Sequence, residues 1–253
     1  MKKLHTIPLS IFLLILFCVD LKAQVGPEET SAYDLSEMTH LGGTRIYSVN
    51  STDIEGTPLL NDEFKKGRFL FTSGNQSEIV PINYDLEQNL ILFKKDDQIM
   101  ILENVDVKGF SFEPPRDYDR SENVQEKYTF RVSDSEFDFT EPTPVQVLYD
   151  QNGAIKLFAI HKVKFVRGNR QDPFTGKITN RYKSDTEYFL KIPGNEMHKL
   201  RRLRAKEIIN ALGGDSKKEL YTFIDENDLD DKSERDLVRL LAHYESKITA
   251  GNE

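Results

Sequence analysis

Cysteine and tryptophan are nearly absent from this chain of 253 residues, which contains one cysteine, Cys18, and no tryptophan. Cys18 lies in the apolar segment at the N-terminus. Once that segment is removed, the chain can form no disulfide and offers neither a thiol nucleophile nor a thiolate ligand for a metal. The lack of tryptophan counts against a carbohydrate-binding platform, because such platforms often use its large ring.

Motifs that carry chemistry at a fixed spacing are also lacking. The chain has no Gly-x-Ser-x-Gly elbow, no phosphate-binding loop and no dinucleotide fingerprint. After residue 23 the histidines are His40, His161, His198 and His243, and no two of them have the i, i+2 or i, i+4 spacing of metal ligands. The sequence therefore predicts no catalytic residue, no metal site and no cofactor.

Basic residues are outnumbered, with 34 Lys and Arg against 42 Asp and Glu. Removing residues 1–23, which include Lys2, Lys3, Asp20 and Lys22, leaves 31 basic and 41 acidic residues and a net charge of −10. A charge of this sign argues against nucleic acid as a partner.

Residues 1–23 have the pattern of a secretion signal. Lys2 and Lys3 supply a positive start, residues 7–19 are almost all apolar, and Ala23 is a small residue before a cleavage point at Gln24. The apolar run of about 13 residues is shorter than the ~20 that span a bilayer. We expect cleavage and export, with no transmembrane span in the mature chain.

A lipid anchor at Cys18 is the alternative to simple cleavage. Bacterial lipoproteins carry the acylated cysteine at the end of the apolar run, after a small residue. Here Phe17 places a bulky ring directly before Cys18. The sequence therefore favours an exported chain without the anchor.

The remaining chain divides into three parts. Residues 24–43 are polar and predict a flexible leader. Residues 44–194 contain short runs of β-branched and aromatic residues between turn residues, which predicts an antiparallel β domain, either a sandwich or a partly open barrel. Residues 195–253 predict a small helical unit, so the fold class is α+β and mainly β. The predicted strands are 68–72, 78–84, 89–93, 98–102, 105–112, 127–132, 145–149, 154–161, 163–166 and 186–192.

Two turns indicate hairpins. Asn152-Gly153 favours the positive φ angles of a tight turn between two strands, and Asp96-Asp97 separates two other apolar runs. Two long segments, 113–123 and 168–183, read as loops. Loops of this length are either functional or mobile, and the sequence leaves both open.

The helical period of the last part indicates three helices. The first covers 205–212 and ends at Gly213-Gly214, as a left-handed cap would. The second begins at Ser216 with Glu219 in a capping-box position, and the third begins at Ser233.

An acidic cluster between the second and third helices partly matches a calcium loop. Asp225, Asn227 and Asp236 hold ligand positions, but Leu229 replaces an oxygen ligand and Asp230 replaces the required glycine. We interpret the cluster as a turn between helices.

Two close pairs of acids could in principle act as a general acid and base or as a nucleophile pair. They are Asp117 with Asp119 and Glu136 with Asp138. Such pairs are common in an acidic chain, so we assign them no catalytic role.

One basic cluster interleaves with leucines near residue 200. It could contact anionic lipid or a polyanionic glycan, or it could be a solvated face that balances nearby acids, which we favour. Its members are Lys199, Arg201, Arg202, Arg204 and Lys206.

Aromatic residues are plentiful, with 16 Phe and 10 Tyr. Most of these aromatic side chains should be buried in the hydrophobic core. A curved sheet could also enclose a ligand pocket lined by Phe69, Phe71, Phe93, Phe110 and Phe112.

Several stretches resemble a family of secreted proteins of unknown function from Bacteroidota envelopes. The resemblance implies the periplasm or outer envelope of a Gram-negative bacterium, and it transfers no catalytic residue. It rests on residues 56–64 with Lys66-Gly67, residues 80–85 and 90–93, residues 186–190, and the helices between Lys218 and Tyr244.

We therefore expect a non-catalytic envelope protein that works through a protein or glycan partner. A small-ligand or lipid carrier is the second hypothesis and would need an enclosed apolar cavity. An enzyme of unrecognised type is the third, and it would need a cleft with two close carboxylates.

Overall fold

The computed structural model describes residues 54–251, apart from 97, 103–106, 114–128, 133–136, 138, 140, 152–154, 169–175, 177–178, 193, 195–196 and 215. The predicted signal 1–23 and leader 24–43 lie outside the described residues. So do the acid pairs Asp117 with Asp119 and Glu136 with Asp138, and most of the predicted loop 113–123.

Eleven strands and three helices make up the described part of the chain. The strands are β1 (Ile54–Glu55), β2 (Lys65–Phe71), β3 (Val80–Asp85), β4 (Leu90–Lys95), β5 (Gln98–Ile101), β6 (Val107–Phe112), β7 (Thr129–Val132), β8 (Pro144–Tyr149), β9 (Lys156–Val166), β10 (Asn180–Lys191) and β11 (His198–Leu200). The helices are α1 (Ala205–Leu212), α2 (Lys217–Glu226) and α3 (Glu234–Gly251).

All eleven strands belong to one sheet, in the order β1-β10-β9-β8-β7-β6-β2-β3-β4-β5, with β11 added to β10. Every pairing is antiparallel except β1 with β10. The sheet is not closed, and the helices follow it. The predicted class, α+β and mainly β with a C-terminal helical unit, is confirmed.

Both predicted hairpins pair as expected. β4 and β5 are antiparallel, and Lys95 opposite Gln98 is the last pair before the turn. Asp96 in the turn has a φ of 48°. β8 and β9 are antiparallel, with a register shift between Val147 and Tyr149. The turn residues Asn152 and Gly153 themselves lie outside the described residues.

Strand boundaries differ from the prediction around β9 and β10. The predicted strands 154–161 and 163–166 are one continuous strand, β9. β10 begins at Asn180, so the prediction of a loop to residue 183 was wrong for its last four residues. The prediction missed this part of β10 because three of its first four residues are Asn180, Arg181 and Lys183. These polar and charged residues give no apolar alternation.

The helix boundaries agree with the prediction, but two predicted caps do not form: the ψ of Gly213 is −164°, so this glycine is not in the left-handed helical conformation. α1 ends before Gly213, which has a φ of 68°, and the Ser233 Oγ accepts a hydrogen bond from the Asp236 N–H at 3.3 Å at the start of α3. Ser216 precedes α2 without a side-chain capping bond. Its backbone is already helical, with φ −72° and ψ −6°, so the predicted capping box does not form.

The helices pack on one face of the part of the sheet formed by β8–β11, and we call this side of the sheet the helix face. Leu157 and Leu190, directly opposite each other on β9 and β10, pack in one cluster with Ile208 of α1 and Leu240 of α3. The opposite, outer face carries a smaller cluster that includes Phe158 of β9.

Candidate interaction surface

The last part of the β9–β10 hairpin extends beyond β8, and β1 pairs with β10 only at its outermost residues, Asn180 and Arg181. β9 pairs with β10 over eleven positions, from Lys156 opposite Lys191 to Val166 opposite Arg181. The pairing of β9 with β8 extends only to Ala159. We call residues 162–166 and 181–185 the ribbon.

Side chains of the ribbon alternate between the two faces of the sheet. On the helix face Phe165 lies opposite Tyr182, and their rings meet edge to face at 5.3 Å. On the outer face Lys162 lies opposite Asp185 and Lys164 lies opposite Lys183.

The helix face of the ribbon is anchored to the rest of the sheet. The Tyr182 hydroxyl donates a hydrogen bond to Glu87, in the β3–β4 turn, at 2.7 Å. This bond, with burial and the charges of Glu87 and Asp85, raises the pKa of Tyr182 to about 12. Gly56 after β1 has a φ of 81°, and a Cβ there would lie 3.3 Å from the Tyr182 carbonyl oxygen. The ribbon is therefore fixed in place on this side.

The outer face of the ribbon is exposed and basic. We define the cationic face as Lys162, Lys164, Arg181, Lys183 and Lys199. All five residues are exposed. Lys199 belongs to this face because it is the β11 partner of Phe189 on β10.

One carboxylate neutralises the inner end of the cationic face. Glu187 accepts hydrogen bonds from Lys162 at 2.8 Å and from Lys199 at 2.7 Å. These two bonds hold the pKa of Glu187 below its ordinary value. Glu187 is therefore ionised and occupied by two lysines.

At the outer end of the cationic face, Glu55 of β1 is the register partner of Arg181, and Asp185 lies two residues from Lys183 on the same strand face. Among the described residues, no acidic side chain forms an ion pair with Lys164, Arg181 or Lys183. Asp185 is the nearest acid along β10, and its Oδ1 accepts a hydrogen bond from the neighbouring Thr186 N–H at 3.0 Å. Like charges that face each other across a sheet destabilise it, as Lys164 and Lys183 do here.

The structure separates the predicted basic cluster into different environments. Lys199 is bound to Glu187, and the Arg201 Nη2 lies 3.3 Å from the Glu207 Oε1. Arg202 and Lys206 are exposed, and Arg204 is half-buried directly before α1. Two of the five cations therefore balance nearby acids, as the solvated-face interpretation expects.

The five predicted pocket residues lie together in one buried cluster. Their rings contact each other, with Phe69 and Phe93 at 6.1 Å and Phe110 and Phe112 at 5.5 Å between centroids, while Phe130 stacks on Phe110 at 4.7 Å. Phe71 is buried in the same cluster. Edge-to-face contacts at these distances are typical of packed aromatic cores.

A second polar cluster, not predicted from the sequence, surrounds His161 on the helix face. The His161 Nε2 lies 2.6 Å from the Gln146 Oε1, and its Nδ1 lies 3.2 Å from the Thr186 Oγ1. Burial lowers the pKa of His161, against a smaller opposite effect of Glu234. The ring is therefore mainly neutral near pH 7.

The contact of Thr186 with His161 has the distance of a nucleophile and its base. The third group, however, is the neutral amide of Gln146. An amide orients the ring but does not stabilise the imidazolium that base catalysis forms. We therefore interpret this half-buried cluster as a structural hydrogen-bond network.

The buried acids have structural partners. Glu245 of α3 is 1% exposed and accepts hydrogen bonds from the Tyr149 hydroxyl at 2.5 Å and from the Ile155 N–H at 3.3 Å. Asp85 is fully buried, and its Oδ1 accepts the N–H groups of Glu87 and Gln88 at 2.9 Å.

The acidic cluster between α2 and α3 is bound within the chain. Asp236 accepts a hydrogen bond from the Asp230 N–H at 3.2 Å and pairs with Arg239 at 3.3 Å. In the described residues, no three histidine or acidic side chains are placed to hold a metal ion. Nor does that part of the chain contain a helix long and apolar enough to cross a membrane.

Comparison with known proteins gives no similarity from which to transfer a role. The chain matches no protein-family model, no curated protein and no solved structure.

Proposed function

We propose that this protein is a non-catalytic interaction module, exported to the envelope of a Gram-negative bacterium, which binds a protein or glycan partner through its cationic face. The pattern of residues 1–23 supports export. The open sheet and the helices serve as the scaffold that holds the ribbon.

The observation that carries this proposal is the unneutralised pair Lys164 and Lys183. The chain has a net charge of −8, so acidic residues are plentiful. Even so, two lysines face each other across the ladder without an acidic partner among the described residues. A local feature that lowers stability without compensation in the fold is typical of a binding site.

The carrier hypothesis has weaker support. It requires an open space lined by Phe69, Phe71, Phe93, Phe110 and Phe112. The rings for which contacts are described pack against other aromatic rings. This favours residues of a packed core over residues that line an open pocket.

The proposal is tested by native mass spectrometry of the mature chain, residues 24–253, isolated gently from its host's envelope. We expect a complex with a second macromolecule, and we expect the double variant Lys164→Glu/Lys183→Glu to lose it. The matched control is Lys218→Glu/Lys232→Glu, which makes the same charge change at two exposed lysines of the helical part.

Complex formation that survives the ribbon variant would contradict the proposal. A bare chain with a reproducible small extra mass would favour the carrier instead.

A further inference from the structure

We infer that the partner segment bound by the cationic face is an extended acidic polypeptide with carboxylates at alternate positions. This inference rests on the proposed function and adds the chemistry of the partner. Three features of the ribbon support it, namely the spacing of its cations, the way Glu187 is bound, and the placement of its aromatic rings.

The cations form two rows with the period of a β-strand. Lys162 and Lys164 are two residues apart on β9, and Arg181 and Lys183 are two residues apart on β10. Alternate side chains on one strand face are about 6.6–6.8 Å apart, and facing side chains are about 4.5–5.5 Å apart at Cβ. An extended peptide that carries an acid at every second position repeats at the same distance.

Glu187 shows how this face binds a carboxylate. Its two oxygens lie 2.8 Å from the Lys162 Nζ and 2.7 Å from the Lys199 Nζ. Lys164 and Lys183 form the next pair of cations toward the tip of the ribbon. A carboxylate from outside, placed between them, would be bound in the same way and would remove the repulsion between the two lysines.

The aromatic rings favour a peptide over a polysaccharide. Sugar sites use exposed rings as stacking surfaces beside their polar groups. The ring nearest the tip, Phe165, is 37% exposed but points to the helix face, and the Tyr182 hydroxyl is bound to Glu87. Phe189, on the same face as the cations, is already covered, by the Lys199 Nζ at 5.9 Å and by the Phe137 ring edge to face at 5.7 Å.

The overall charge disfavours an anionic membrane. A flat anionic surface would face much of a chain whose net charge is −8, and it would be repelled wherever it came within a Debye length of about 8–10 Å. A single extended segment touches only the ribbon. The local charge of the cationic face then determines its binding.

The experiment measures binding of the mature chain to a labelled 12-residue peptide of alternating Glu and Ser at low ionic strength. We expect binding that weakens as salt is added. The variant Lys164→Glu/Lys183→Glu should weaken it by roughly tenfold or more, whereas Lys218→Glu/Lys232→Glu should change it by less than about threefold. The neutral variant Lys164→Gln/Lys183→Gln should fall between them, and thermal unfolding checks that each variant is folded.

Three further probes decide between partners. A peptide of the same composition with its six Glu in one block should bind more weakly, and equal binding would overturn the spacing argument. Polygalacturonate that binds more tightly than the peptide, with the same loss in the ribbon variant, would overturn the peptide inference and leave the proposed function standing. Phosphatidylglycerol vesicles that do so would overturn both. If no anionic probe responds to the ribbon variant, the inference and the proposed function both fail.

Discussion

Lys164 and Lys183 lie directly opposite each other in the antiparallel ladder of β9 and β10, on the exposed outer face of the sheet. Lys162, two residues away on the same strand, is bound to Glu187 at 2.8 Å. Neighbouring positions of this ladder therefore hold a lysine in an ion pair and two facing lysines that form no ion pair with a described acid.

The variant Lys183→Glu should make the folded protein more stable while it weakens binding. It replaces facing like charges with an opposite-charge pair, which contributes about 0.2–1 kcal/mol. Urea unfolding of the variant and of the wild type measures the change in the free energy of unfolding. Lys218→Glu on α2 is the control and should change it by less than about 0.5 kcal/mol. A loss of stability in Lys183→Glu would mean that Lys183 has a packing role.

Truncation of Phe110 tests the role of the aromatic cluster. Phe110 is 1% exposed and contacts the rings of Phe112 and Phe130. Phe110→Ala should lower the free energy of unfolding by about 3–5 kcal/mol. Phe165→Ala, at an exposed ring of the ribbon, is the comparison and should cost much less. A small loss in Phe110→Ala, together with binding of an apolar fluorescent probe by the wild type, would support the carrier hypothesis instead.

The buried carboxylate of Glu245 should be essential for the docking of α3. Its loss leaves the Tyr149 hydroxyl and the Ile155 N–H without this acceptor in the core. Glu245→Ala should therefore destabilise the fold by about 1–3 kcal/mol, measured by thermal unfolding, whereas Glu226→Ala at an exposed position of α2 should be nearly neutral. Equal effects of the two variants would contradict the structural role of Glu245.

Stability should decrease below pH 6.5 because of His161. Burial holds the pKa of His161 below its ordinary value of 6.5, so the unfolded chain takes up the proton first as the pH falls. The stabilising effect of neutral His161 on the folded state is fully present above pH 6.5. It is lost as the pH falls from there through the folded-state pKa of His161. Glu234 and Tyr188, themselves hydrogen-bonded at 3.5 Å, are the titratable neighbours on the helix side.

The variant His161→Gln separates this effect from that of the carboxylates. Its unfolding free energy should depend less on pH just below 6.5 than that of the wild type. Glu187, whose pKa is also lowered, acts in a lower window that begins near 4.5, and this window should remain in both proteins. Identical pH profiles between 6.5 and 5 would show that His161 is not perturbed.

Much of the fold could be predicted because its core strands and helices carry strong apolar periods. β4 and β5 were recognised from nearly continuous apolar runs, and α1 from its stripe and its terminal glycines. Ser216 misled the prediction of a cap because its backbone is already helical and its side chain makes no capping bond, and the sequence pattern alone does not reveal this.

The cationic face could not be predicted from neighbours along the chain. The sequence drew attention to Lys199, Arg201, Arg202, Arg204 and Lys206, which are close in sequence but differ in environment. Lys164 and Lys183 become neighbours only through the register of β9 and β10. The polar start of β10 gave no apolar signal, so this register was not visible. The sequence signals that could have pointed to this face are the alternating Lys162 and Lys164 on β9 and the cations Arg181 and Lys183 on β10.

Reversal of charge preference tests the central claim most directly. The binding of two peptides, alternating Glu and Ser and alternating Lys and Ser, is measured for the wild type and for Lys164→Glu/Lys183→Glu. If the cationic face is the binding surface, the wild type binds the acidic peptide and the variant prefers the basic one. If the variant keeps the wild-type affinity for the acidic peptide, the cationic face is not the binding surface.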